Sequence, residues 1–338
     1  MITNKSLAIT ILFLLSLIGA YSIYKPFLLS IVVAMLLTMA TYNLTKKLIM
    51  YFNSRKLSAI FTSSLLILIL FAPLIYMATT GVGYISHLDV ETINEVTSGI
   101  KAFTENIPYI KEWSEIGLSD QKIAEYIQES TSYVTTAGSV GLGFVKNMVL
   151  VIVFYFIINY YGDGFFDLIR ALMPVSRMKS AKMIHEVSST MEVVFYSIVV
   201  TAIFEGFLFG VMVSYFGFNG LLFGVIYGFA SLIPIIGGAV VWIPVALYSW
   251  SNMDANTAIF ITTYSIVVIA IIADTFIKPI IIKVIKEDLL KSTIEINEIV
   301  IFFSIIAGMS TYGFWGMILG PAITSFVIAI TKVYIDYN

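Results

Sequence analysis

Residues 219–250, NGLLFGVIYGFASLIPIIGGAVVWIPVALYSW, run for 32 positions without a charged side chain. One helical crossing of a bilayer takes about 20 apolar residues, so this run is too long for one span and too short for two. Pro234 removes a backbone donor near its middle, and Gly237 and Gly238 loosen the chain beside it. The pattern predicts two short helices joined by a turn at membrane depth. Irregular backbone survives there only where it is buried in protein or lines a wet cavity. Ser231, Pro234, Gly237 and Gly238 are therefore candidates for contact with a transported substrate or ion. In the first arm Gly220, Gly224 and Gly228 recur every fourth residue, a smooth face for close helix packing.

The rest of the chain is equally apolar. Of 338 residues 59% are hydrophobic and 12% charged, against about 25% charged in a soluble domain. This is the composition of an all-α polytopic membrane protein whose partner is the lipid bilayer. Lys and Arg number 19 against 21 Asp and Glu, so there is no basic excess to serve nucleic acid. The chain has no cysteine and two histidines, which excludes thiolate metal sites, cysteine nucleophiles and a histidine cluster. With no metal-ligand spacing and no phosphate loop, neither a membrane enzyme nor a cofactor is expected.

Six full spans are predicted at 7–24, 26–43, 58–80, 139–161, 192–216 and 256–283. The first is read as a retained span rather than a cleaved signal, because a second apolar run follows at once after Lys25-Pro26. Lys46, Lys47, Arg55 and Lys56 lie between spans two and three, and Arg170, Arg177, Lys179 and Lys182 between spans four and five. The positive-inside rule makes that side cytoplasmic and, by counting spans, the N-terminus too. The expected location is the inner (cytoplasmic) membrane.

Residues 84–138 hold nine of the acidic residues against three basic ones and read as a small helical extracytoplasmic insert. Its apolar helix faces need cover from the bundle or from further copies, which predicts a homo-oligomer. Phe165 to His185 is basic and amphipathic, and is expected along the cytoplasmic membrane surface. The resulting divisions are 1–83, 84–138, 139–191 and a transport core at 192–338.

Within that core the pattern repeats. Span five leads into 219–250, and span six into a second charge-free stretch from Ile299 to Thr331, interrupted by Gly308, Gly313, Gly316, Gly320 and Pro321. Gly313, Gly316, Gly320 and Pro321 join the candidate binding residues. Successive spans run in opposite directions, so two re-entrant hairpins would enter from opposite faces, as in the inverted repeats of secondary transporters.

These stretches also carry a family resemblance. FGFNGLLFGVIYGFASLIPIIGGAVVWIP, with its Ile-Pro-x-x-Gly signature, DTFIKPIII at 274–282 and AGMSTYGFWGMILGP at 307–321 resemble, in order, three motifs of the autoinducer-2 exporter family. The chain differs from them in having Ala307-Gly308 for a Gly-Gly pair, Gly238 where proline is common and Glu205 where the family is apolar or small. The resemblance implies an oligomeric membrane transporter or exporter, in a family whose members are linked to export of signalling molecules or to sodium(lithium)/proton antiport.

Three ionisable side chains stand inside predicted spans: Glu205 in span five, Asp274 and Lys278 in span six. Each costs about 2.5–3.5 kcal/mol at a helix centre in lipid, so all three are expected to face inward as one buried electrostatic unit. Asp274 and Lys278, four apart, can pair on one helix face, and Pro279 is expected to break the helix after them. The leading reading is a secondary transporter of a small molecule. Ion-coupled antiport through Glu205 and Asp274, or an oligomeric scaffold or channel, are the alternatives.

Overall fold

A computed structural model describes residues 4–86, 144–162, 164, 167, 176–233, 236–289 and 298–335. The insert expected at 84–138 lies outside the described residues except for its first three positions, and so does Pro234. Every regular element among the described residues is helical. Six helical runs are long and apolar enough to cross a bilayer: Ile11–Ala40, Arg55–Met77, Phe144–Tyr161, Met178–Tyr215, Ala255–Glu287 and Ile299–Thr331.

The first run corrects the sequence reading. Helix α1 (Asn4–Tyr24) passes through a single tighter turn, Lys25–Phe27, straight into α2 (Leu28–Ala40). Pro26 falls in the first turn of that short segment, where a missing N–H costs nothing, so the chain continues instead of reversing. The two early spans are therefore one rod, and counting spans no longer puts the N-terminus on the same side as Lys46 and Arg55. Leu12, Leu15 and Ile18 are each about three-fifths exposed, as suits a helix facing hydrocarbon.

Helix α3 (Tyr42–Phe52) is amphipathic and turns through Asn53 in the left-handed region into α4 (Arg55–Leu66), capped by Ser54. A wider helical turn over Ile67–Phe71 leads into α5 (Ala72–Ser86), and α6 spans Phe144–Tyr161. The spine is α7 (Arg177–Tyr215), 39 residues long and capped by Ser176. At about 1.5 Å per residue it is nearly twice as long as the hydrocarbon core is thick. It absorbs the basic stretch predicted to lie on the membrane surface: from Arg177 onward that stretch is the first turns of α7. Ser180 and Met183 there are buried, because they pack inside the bundle rather than on headgroups.

Two cores meet on α7. Its first half packs with α2, α4, α6 and the C-terminal hairpin around Val33, Leu37, Tyr155, Met191 and Leu319. Its second half packs around Phe209, Val213, Tyr227, Val245 and Ile261 with α8 (Gly220–Ala230), α9 (Gly237–Asn252) and α10 (Ala255–Tyr264). A buried polar network ties the first core. Thr41 and Tyr155 share a hydrogen bond of 2.7 Å, Thr45 donates to Asn159 Oδ1 at 3.1 Å, and Asn43 donates to Glu192 Oε2 at 2.7 Å. Glu192, at the start of span five, is thus a further buried carboxylate that the reading of charges within spans passed over.

Both charge-free stretches fold back on themselves. The rings of Phe218 and Tyr248 lie 5.9 Å apart at one end of α8–α9, while a Cβ on Gly237 would strike the Ala230 carbonyl at the other. The C-terminal stretch is α12 (Glu298–Tyr312), a tight turn Gly313–Trp315 and α13 (Gly316–Ile335). Gly313 turns the chain with φ +57°, and Gly308 and Gly316 then lie backbone to backbone across the hairpin. The run Ile299–Thr331 is therefore a doubled pair and not one rod.

Candidate functional site

Glu205 sits near the middle of the C-terminal half of α7 and is 2% exposed. Glycine contacts fix its height. A Cβ on Gly224 would lie 2.7 Å from the Gly206 carbonyl, and one on Gly228 would lie 2.5 Å from that of Ala202, so α7 and α8 touch along their backbones on both sides of Glu205. The glycine face of the sequence is a packing seam.

The other two charges come from the long helix that starts at α10. It is wound wider over Ser265–Ile277 and then narrows into α11 (Lys278–Val284) and a last wide stretch, Ile285–Leu289. Pro279 does not break it. Lys278 N–H reaches back to the Ala273 carbonyl, and Pro279 falls in the first turn of α11, where its missing donor is harmless. Wide helical turns of this kind occur often at functional sites.

The three ionisable groups meet. Lys278 Nζ donates to Glu205 Oε1 at 3.0 Å and to Asp274 Oδ1 at 3.2 Å. The unit is not buried throughout, however: the Lys278 and Asp274 side chains are 34% and 42% exposed where they line a cavity, while Glu205, on the same wall, is 2% exposed.

That cavity is about 580 Å³. Hairpin α8–α9 contributes Tyr227, Ser231, Gly237, Gly238 and Trp242 to its wall, and hairpin α12–α13 contributes Ile301, Phe302, Ile305 and Met317. Of the residues singled out in the sequence, Glu205, Asp274, Lys278, Ser231, Gly237 and Gly238 therefore share one cavity. Gly313, Gly316, Gly320 and Pro321 are not among its lining residues. Gly316 and Gly320 hold the arms of their hairpin together against Gly308 and Ser304, Gly313 makes the turn, and the Pro321 carbonyl accepts from Ser325. The second hairpin meets the cavity through its apolar side chains instead.

Sequence reasoning missed Ser197 and Thr201, which line the cavity from α7. The signal was available: Ser197, Thr201 and Glu205 are four apart, one polar line along an otherwise apolar helix face. It missed Tyr227 and Trp242 because aromatic residues in a membrane segment carry no positional signal. A second cavity of about 430 Å³, lined by Ile69, Pro73, Phe207 and the outer edge of the glycine seam, is almost wholly apolar and holds no ionisable group.

Comparison with known proteins covers almost the whole chain. A family profile described as AI-2E family transporter matches residues 7–336. A protein of Helicobacter pylori strain J99 is 34% identical over 339 residues, covering 97% of this chain and 95% of its own. One from Aquifex aeolicus is 23% identical, covering 74% of this chain and 71% of its own. One from Methanocaldococcus jannaschii is 27% identical, covering 61% of each. All three are named as candidate transport proteins.

Proposed function

Because this chain belongs to the AI-2E transporter family and is a membrane transporter, we propose that it is a secondary transporter that exports a small polar or signalling molecule by alternating access around its two hairpins. One observation carries this reading: Glu205, Lys278 and Asp274 meet in a cavity whose walls come from both hairpins. A cavity of about 580 Å³ falls within the usual range of small-molecule sites.

The arms of α8–α9 have 11 and 16 residues, about 17 and 24 Å at 1.5 Å per residue, and so fall short of the ~30 Å hydrocarbon core. That length supports a re-entrant hairpin. A long helix followed by a hairpin occurs twice, α7 with α8–α9 and α10–α11 with α12–α13, which supports the inverted repeat. Alternating access would then move one hairpin against the other across the cavity. Homo-oligomerisation belongs to the same reading. Ion-coupled antiport is the second reading. It is favoured by the pairing of Lys278 with two carboxylates, where an entering cation could replace the ammonium.

Flux from proteoliposomes tests the proposal. Protein reconstituted with a mixture of small metabolites inside, and a proton or sodium gradient imposed, should release at least one solute faster than protein-free vesicles do. That flux should fall in Glu205→Gln. Release no faster than from protein-free vesicles would leave the scaffold reading in place.

A further inference from the structure

We propose that the cavity selects a cargo with a single positively charged head on an apolar body, a protonated organic amine being the simplest member of that class. This rests on reading the cavity as the cargo site.

The formal charges are unequal. Among the described lining residues the ionisable acids and bases are Glu205, Asp274 and Lys278, two carboxylates against one ammonium, which leaves one negative charge unmatched. A cargo bearing one positive charge brings the loaded site to neutrality. An anion would leave two negative charges unmatched where charge is expensive.

The hydrogen-bonding capacity points the same way. Three of the polar side chains on the wall are already engaged as donors: Lys278 to both carboxylates, Ser231 to the Gly228 carbonyl and Thr201 to the Ser197 carbonyl. The carboxylates keep acceptor capacity, because each can take several hydrogens. Ser197 lines the cavity as well, with its Oγ buried and without a hydrogen-bond partner among the described residues. Ser197 and Glu205 lie two turns apart on α7, about 12 Å along the axis, with Thr201 between them. A ligand that pairs with the carboxylates must supply donors, and an ammonium supplies three together with the charge that the site lacks.

The remaining wall is apolar. Ile198, Trp242, Ile266, Phe302 and Ile305 offer a large surface to a hydrocarbon body, and aromatic surface favours cations over anions. Lys278 stays with the carboxylates, and the cargo's ammonium joins it there, so that two ammonium groups face two carboxylates.

Three ligands that share one body separate the possibilities: 4-phenylbutylamine, 4-phenylbutanol and 4-phenylbutyrate. Their binding to the full chain in lipid nanodiscs is measured by calorimetry, with empty nanodiscs subtracted. The amine should bind at least tenfold more tightly than the alcohol, and the carboxylate more weakly than either. Asp274→Asn, at a partly exposed position, and Glu205→Gln should each lower amine affinity at least tenfold and change alcohol affinity far less. No measurable amine binding overturns the inference, as does equal binding of alcohol or carboxylate, or amine affinity unchanged in both variants. Flux of the same ligands in proteoliposomes keeps the two readings apart. Selective amine binding without amine flux would remove the transporter reading and leave the cation site, whereas flux of some other solute without amine selectivity would do the reverse.

Discussion

Lys278 Nζ lies 3.0 Å from Glu205 Oε1, although 73 positions separate the two residues in the chain. Glu205 is held on α7 by the glycine seam with α8, and Lys278 is carried on a different helix by the turn in which wide winding gives way to α11. Their contact joins the spine of the bundle to the wall of the cavity.

Removing one partner of this pair should be costly. Lys278→Met leaves the Glu205 carboxylate buried without its counter-charge, a situation worth about 3–5 kcal/mol when both partners are fully buried. Partial exposure of Lys278 puts the expected loss at the lower end or below. Glu205→Gln combined with Lys278→Met should recover most of it. Asp274→Asn alone should cost less than Lys278→Met, because Asp274 is 42% exposed. Thermal unfolding followed by size-exclusion in detergent ranks these variants beside Glu205→Gln alone and the wild type, and strictly additive losses in the double variant would show that the pair is not coupled.

The α8–α9 hairpin should begin and end on the same side of the membrane. Phe218 and Tyr248 are in ring contact at its open end, and the chain contains no cysteine, so Tyr215→Cys and Asn252→Cys can be labelled singly without background. Both positions are exposed, unlike the buried Ser249. A membrane-impermeant thiol reagent added to oriented vesicles should reach both from one side. Labelling from opposite sides would mean that the hairpin crosses.

Gly224 is required by contact and not by conformation. A Cβ there would lie 2.7 Å from the Gly206 carbonyl, so Gly224→Ala must push α7 and α8 apart. Overpacking of this kind costs about 1–3 kcal/mol. Gly19, with nothing within 4 Å of its would-be Cβ, is the matched control. Gly19→Ala should keep wild-type thermal stability while Gly224→Ala loses it, and equal behaviour would show that the seam yields without strain.

Asp254 should make one helix end sensitive to acid. Its side chain accepts from the Thr257 hydroxyl at 2.7 Å and from the Thr257 amide at 2.8 Å, and these bonds hold its carboxyl below the ordinary aspartate range. A depressed folded-state value means the contribution is complete above the unfolded value, about 3.9, and is lost as pH falls through the folded one. Hydrogen exchange of the Thr257 amide should therefore be faster in Asp254→Ala than in wild type at pH 6, and the difference should begin to shrink below pH 4 and vanish once the carboxyl is protonated in the folded protein. A difference that survives that protonation would assign it to packing.

The sequence by itself determined the membrane class, the folding back of two charge-free stretches and the identity of the three charges. These follow from properties of single segments: a crossing needs a set length, a proline and paired glycines interrupt it, and a charge in lipid needs a partner. The reach of each helix was a tertiary matter. Pro26 and Pro279 look alike in sequence to a break, but each sits in the first turn of a helical segment, where its missing donor costs nothing, so the chain runs on. The basic segment ahead of span five carries the signature of a surface helix, yet Ile184 and, just after it, Val187 found apolar partners inside the bundle and drew it into α7. The roles of the glycines also depended on neighbours. Gly237 and Gly316 are equivalent as letters and each packs against the other arm of its own hairpin, but of the two Gly237 alone also lines the cavity. Which polar residues share a wall depends on the rotation of each helix about its axis. Packing alone sets that rotation, and it is what turned the line of Ser197, Thr201 and Glu205 toward the cavity and left Pro321 outside.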